Sequence, residues 1–304
     1  MIHMDPTNLK FAVAASALTD NVREAPRVAR RLGFAGLQFD AVSAALNLTE
    51  LSASGRREFR QVLAAESQQI ASLLVDLGGK GLGAGADVDR AIDRLDRAME
   101  TAAGLMSPLV CVELGPLPEV AVAPKPKQIV SPELAGLIII PSGTAGEPTT
   151  PDPQAPAPDP KIVSQVDAAL VEIGRRADRY GVMLALRAEL ASFAALERAL
   201  RQAACPWFGV DLDPVGVLRD TWDIDEVFAQ LGTQIRHVRG RDAIGGAAGR
   251  TKATVLGRGD VSWPQLLSNL RASDFQGWIT VDPVELPNRS TAAQAALQAL
   301  QHMK

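Results

Sequence analysis

Histidine and cysteine are scarce in this chain, with three of the first and two of the second among 304 residues. Two cysteines, Cys111 and Cys205, make no disulfide framework, and an intracellular setting is the default. The histidines are His3, His237 and His302, so two of the three lie near the ends of the sequence. No apolar run is long enough to span a bilayer. The opening stretch, MIHMDPTNLK, lacks the charged-then-apolar order of a signal peptide, and the expected location is cytoplasmic. Basic charge is not in excess either. A net charge of −4 argues against a nucleic-acid footprint or an anionic membrane surface. Apolar residues, by contrast, are plentiful. At 47% they suffice for a large core, and the length suits one large α/β domain or two ordinary ones.

Those apolar residues are distributed in alternation. Short runs read as strands at 11–17, 36–41, 70–78, 108–115, 182–189, 207–214, 235–243 and 277–283. Amphipathic stretches of helical period lie between them and after the last one. The first, NVREAPRVARRLG, stops on Gly33, a helix C-terminal signal. Strands and helices in strict alternation imply parallel pairing through right-handed crossovers. Eight such units predict a closed (β/α)8 barrel. The open doubly wound alternative lacks its phosphate fingerprint, since AVAASALTDN after the first strand contains no glycine. The expected organisation is therefore one TIM-barrel domain over residues 1–304.

One segment breaks the rhythm. Residues 116–160 hold 12 of the 20 prolines and end in GTAGEPTTPDPQAPAPDP. Such a stretch packs poorly as a regular element. It follows the fourth strand, and so belongs to the face of a barrel where active sites are built. It reads either as a disordered loop or as a partial lid anchored by the apolar run Leu137 to Ile140.

Strand parity then selects the residues of the barrel mouth. Aliphatic positions face the helices and the alternate set faces inward. The inward set includes Gln38 and Asp40, Cys111 and Glu113, Arg187, Asp211 and Asp213, Thr280 and Asp282, and the doubtful Asp76. In IRHVRGRDA, at 235–243, His237, Arg239 and Arg241 recur at period two. Two arginines and the chain's one mid-sequence histidine thus share a face. That face meets either solvent or a polar site inside the fold, and the carboxylates opposite favour the site. A purely structural ion-pair lattice is the bland reading, but desolvation makes buried ion pairs doubtful stabilisers.

Four C-terminal segments, FGVDLDP, IRHVRGRDA, VLGRGDVSWPQLLSNL and GWITVDP, together with ARRLGFAGLQFD near the N-terminus, resemble those of the xylose isomerase-like TIM barrels. The likeness to this superfamily of sugar phosphate isomerases and epimerases covers the chain apart from the proline-rich insertion. It implies an isomerase or epimerase of carbohydrate metabolism acting on a small sugar, sugar phosphate or sugar acid. Charge and hydropathy, as above, give no nucleic-acid or membrane partner as the expectation, and a homo-oligomer is possible. Typical members hold a divalent metal with a Glu, an Asp, a His and a Glu at the ends of strands five to eight. The corresponding positions here are Arg187, Asp213, Arg239 and Asp282. A divalent cation 4 Å from one guanidinium is repelled by roughly 8 kcal/mol at an effective dielectric of about 20. The expectation is therefore a degenerate metal site, with no metal or other cofactor.

Guanidinium groups bind carboxylate and phosphate through paired hydrogen bonds. Arg187, Arg239 and Arg241, with Asp242 and Gln38, are the expected substrate-binding set. Asp213, Asp282 or Glu113 is the expected general base, and His237 an acid or proton shuttle. The competing expectation is an inactive binding or scaffold protein whose arginines are all paired with aspartates. A third class, the related zinc-dependent abasic-site endonucleases, needs several histidines and fails on their number.

Overall fold

The computed structural model describes residues 9–119, 158–188, 192–245 and 250–303. Eight parallel strands close into a barrel. In chain order they are β1 (Lys10–Ala14), β2 (Gly36–Asp40), β3 (Gln69–Asp76), β4 (Leu109–Glu113), β5 (Met183–Arg187), β6 (Phe208–Leu212) and β7 (Ile235–Gly240), with β10 (Trp278–Val281) closing against β1. Each lies where an apolar run predicted a strand. Between β7 and β10 the chain inserts an antiparallel hairpin, β8 (Asp242–Gly245) and β9 (Thr251–Thr254). The expected seventh strand is thus cut at Gly240, and Asp242 belongs to a different sheet.

Helices follow the strands. They are α1 (Ala25–Leu32), α2 (Ala53–Ala65), α3 (Val88–Leu105), α4 (Pro160–Tyr180), α5 (Phe193–Ala203), α6 (Pro214–Arg219), α7 (Ile224–Leu231), α8 (Trp263–Ala272) and α9 (Arg289–His302). Local chemistry sets their ends. Asp87 caps α3 by accepting from the Arg90 amide at 3.1 Å, and Gly33 ends α1 at φ 93°, where a side chain would be strained. None of the described helices is long and apolar enough to cross a membrane. The anchor read at Leu137 to Ile140 lies outside the described residues, as does most of the proline-rich segment.

The apolar side chains divide as parity requires. Leu184, Leu186, Val210, Leu212, Val238, Ile279 and Val281 join the main core between the barrel and its helices. The barrel interior holds only small separate apolar groups. Ala12, Ala71 and Trp278 form one, and Leu109, Cys111 and Ala185 another. Above them, toward the C-terminal strand ends, the filling becomes polar.

Candidate functional site

Two polar tiers fill the upper barrel. The lower tier is hydrogen-bonded and closed to solvent. Asp211 on β6 bonds His237 Nδ1 at 2.6 Å, and His237 Nε2 bonds Thr280 Oγ1 at 2.7 Å. His237 is 1% exposed. Gln38 lies in the same interior and donates to Ser72 at 2.8 Å. Cys111 joins this tier, and burial pushes its thiol pKa up. The sulfur of Cys111 and donor atoms of Asp211 and His237 all lie within 4.8 Å of one another, so these three form the potential metal-ligating group among the described residues. Both ring nitrogens of His237 are engaged as described. Asp211 likewise spends one oxygen on His237 and the other on Arg187, at 3.0 Å.

The upper tier is ionic. Arg187, at the end of β5, spans from Asp211 to Glu113, bonding the latter through Nη2. Arg239 directs Nε and Nη2 at one oxygen of Asp282, at 2.7 and 2.6 Å. Arg241 grips both oxygens of Asp213 and reaches Glu285 with Nη1 at 2.6 Å. Arg239 Nη1 lies 3.7 Å from Glu113 and 3.8 Å from Asp213, beyond hydrogen-bond distance of either. This Nη1, like the buried Nε of Arg187, has no hydrogen-bond partner among the described residues. Burial works against the charge of Arg239, but Asp282, Asp213 and Glu113 hold its proton more firmly than usual. Burial would raise Asp211, yet His237 and Arg187 overcome it and hold this carboxyl at a pKa of about 2. Asp213 is likewise lowered, burial being outweighed by Arg241 and Arg239.

Arg187, Asp213, Arg239 and Asp282 therefore do converge, with Glu113 and Arg241 among them. Asp242 does not join them. Its carboxylate accepts from the amides of Ala243, Gly257, Gly259 and Val261, and so ties the β8–β9 hairpin to the following loop. Asp76, doubtful from parity, is exposed and closes a turn on the Gly78 amide.

Asp40, read from the sequence only as facing inward, has a larger place than parity gave it. It ends β2 and lines a cavity of about 220 Å³ together with Ser16, Thr19, Ser43 and Arg289. Its carboxylate has no hydrogen-bond partner among the described residues. Burial raises its pKa, and the negative charges of Asp282 and Glu113 raise it further against the pull of Arg239. The alternation in GLQFDA exposes Asp40 as readily as Gln38. Its charge state depends on Glu113, Arg239 and Asp282, which come from three other strand ends.

A closed parallel barrel with polar groups gathered at the C-terminal strand ends defines a (β/α)8 protein with its polar site at the face where such folds build their sites. The chain belongs to the xylose isomerase-like TIM barrel family, whose pattern matches residues 26–304, and thereby to a superfamily of sugar isomerases and epimerases. No curated protein sequence matches it. Among solved structures it is similar to D-psicose 3-epimerase from Clostridium cellulolyticum H10, crystallised with D-tagatose, at 13% identity and a TM-score of 0.68 over 97% of this chain and 99% of that one. It is similar to 3-keto-D-glucoside 4-epimerase from E. coli at 15% identity and a TM-score of 0.67, over 97% of this chain and 100% of that one. The IolI protein with a bound zinc atom gives 15% identity and a TM-score of 0.70, over 97% of this chain and 98% of that one. These likenesses establish the fold.

The metal that the family implies meets a poor fit in the upper tier. Two of the four positions that the resemblance assigns to ligands carry guanidiniums, and the other two, Asp213 and Asp282, are each held by an arginine. A cation placed there would meet two fixed positive charges and would have to displace two charge-assisted pairs.

Proposed function

We propose that the chain is a sugar isomerase or epimerase that works without a divalent metal, moving a proton beside a carbonyl through Asp40 and Arg239. The observation that carries this reading is the unshared pair of groups in the mouth. Among the described residues, Arg239 Nη1 has no hydrogen-bond acceptor within reach, and Asp40 has no donor. Removing a proton from the carbon next to a carbonyl makes an enolate. A guanidinium aimed at the oxygen stabilises that charge, and a fixed donor in a water-poor site is typically worth about 10²–10³ in rate. A carboxyl with a raised pKa holds and returns the proton closer to neutral pH than an ordinary aspartate.

Asp213 and Asp282 then act as positioning groups for Arg241 and Arg239, while Glu113 is shared between Arg187 and Arg239. His237 is sealed below, and its role in this reading is to orient Asp211 beneath Arg187. The mouth gathers Asp40, Glu113, Asp213 and Asp282 against Arg187, Arg239 and Arg241, with Asp211 sealed beneath them. That excess of carboxylate suits the neutral carbonyl end of a sugar derivative; a fully anionic group there would be repelled.

A second reading, the inactive scaffold, draws on Arg241 and on the terminal nitrogens of Arg187, which the protein's own carboxylates occupy. Solvent-hydrogen exchange separates the two. Ketoses and their acid and phosphate derivatives would be incubated in deuterated water with chelator-treated protein, and carbon-bound deuterium followed by NMR. The enzyme reading expects exchange that survives chelation and falls about 10²–10⁴-fold in Asp40→Asn. Exchange that requires added metal overturns the metal-free reading, and no exchange with any sugar leaves the scaffold.

A further inference from the structure

A second cavity opens on the same end of the barrel, between the loop after β2 and the loop that joins β3 to α3. It has a volume of about 460 Å³, within the range of small-molecule sites. Its charged lining is Lys80, Arg90, Arg94 and Arg97 against the single acid Asp87. That balance opposes the net −4 of the whole chain. None of the four cations forms an ion pair among the described residues, although most arginines on neighbouring helices do, as Arg175, Arg176, Arg179 and Arg198 show. Asp87 is already committed as the cap of α3. Arg94 is held in place by donating to the Asp76 carbonyl at 2.7 Å. Like charges gathered in a concave surface without counter-charges repel one another, and an anion relieves that repulsion.

The loop beneath these cations supplies an independent observation. DLGGKGLGAGAD places five glycines at 78, 79, 81, 83 and 85, directly between a strand and a helix. The fold itself explains Gly81, whose φ is 50° and where a Cβ would stand 1.6 Å from the Leu114 carbonyl oxygen. It does not explain Gly79, which has no left-handed backbone and nothing within 4 Å of the place of a Cβ. The amides of Gly79, Lys80, Ala84 and Gly85 donate to no acceptor among the described residues. Of these residues, Lys80 and Gly85 line the cavity; glycine-rich backbone with unspent N–H groups, next to a lysine and three arginines, is the arrangement by which a chain cradles phosphate oxygens.

We infer that the β3–α3 loop cavity is a phosphate-binding site, taking the phosphate ester of a small molecule on Lys80, Arg90, Arg97 and the glycine-loop amides. The inference does not depend on the reaction proposed for the mouth. The full chain would be titrated calorimetrically at low salt with inorganic phosphate, a hexose 6-phosphate and the unphosphorylated hexose. Both phosphates are expected to release or absorb heat on binding and the free hexose to give no signal from this site. A phosphate ester that binds more tightly than inorganic phosphate marks a phosphorylated metabolite as the occupant, and equal affinity marks free phosphate.

Arg90→Ala with Arg97→Ala should weaken phosphate binding about tenfold or more, since two charge-assisted contacts are lost. Lys80→Ala should weaken it separately, and Arg239→Ala should leave it unchanged. Thermal unfolding of each variant reports whether it folds. The inference is overturned if neither phosphate binds at about 10 mM, if the double variant binds as the parent does, or if Arg239→Ala abolishes binding, which would move the anion to the mouth. Preferential binding of a short oligonucleotide over both phosphates also overturns it.

Discussion

The arginines of the barrel mouth and those of the β3–α3 cavity sit at the same end of one fold and are treated in opposite ways. Arg187, Arg239 and Arg241 are largely withdrawn from water, and each is held by carboxylates from neighbouring strands. Arg90, Arg94 and Arg97 are exposed along one face of α3 and meet no carboxylate among the described residues. The difference follows from solvation. A guanidinium pushed into a barrel must bring counter-charges with it, because losing water costs more than any single contact returns. A guanidinium on a helix surface keeps its water and remains available to a ligand. The inner set therefore determines the shape of a site, and the outer set determines what is drawn to it.

The strongest way to break the inner set is from below. Asp211→Ala leaves Arg187 buried with one counter-charge removed and His237 without its partner. Chemical denaturation should show a loss of about 3–5 kcal/mol, the usual cost of stripping one member from a buried pair. If the loss is under about 1 kcal/mol, the tier is not the tightly coupled unit described.

Acid should act on the same residue. The folded pKa of Asp211 is about 2, below its unfolded value, so its contribution is present in full above the unfolded pKa. It is lost as pH falls from about 4 toward 2, an effect on the order of 2 kcal/mol. Asp213 is lowered too and acts in the same sense. Asp40 is shifted the other way, so its neutral form is favoured in the fold and its contribution declines as pH rises through its own titration. A stability profile followed by urea unfolding across that acid range should fall steeply in the parent and less in Asp211→Asn.

Arg241→Ala cuts higher in the mouth, where water can reach the freed Asp213. A smaller loss of about 1–3 kcal/mol is expected, read from the same denaturation curves. The outer set closes the comparison. Arg97→Ala should change stability by no more than about 0.5 kcal/mol, as for surface substitutions that break no contact. A larger loss would mean that the cavity cations are structural after all.

Much of this architecture is legible without coordinates. Every barrel strand lies on an apolar run, because each is buried against helices on one face and so needs aliphatic residues at every second place. Leu184 and Leu186 on one side and Arg187 on the other follow from that rule alone. Parity is also what brought Asp213, Arg239 and Asp282 together. Depth was not legible. His237 and Arg239 are two residues apart on one face, yet the first is sealed between Asp211 and Thr280 and the second reaches the mouth. Nor did the run at 235–243 reveal its break at Gly240, since the hairpin that begins at Asp242 is held by amides more than a dozen residues away. The glycines of the β3–α3 loop carry no functional signal in the sequence, and only the cavity brings three arginines of α3 beside them.

By itself, then, the sequence determined the barrel and which charged residues face inward, because periodicity and residue type are local properties that burial on one face enforces. Only the tertiary structure decided which charges are spent and which are free. Pairing depends on reach between strands far apart in sequence: Asp282 holds Arg239, Asp213 holds Arg241, and Asp40 has no hydrogen-bond partner among the described residues although it faces the same space.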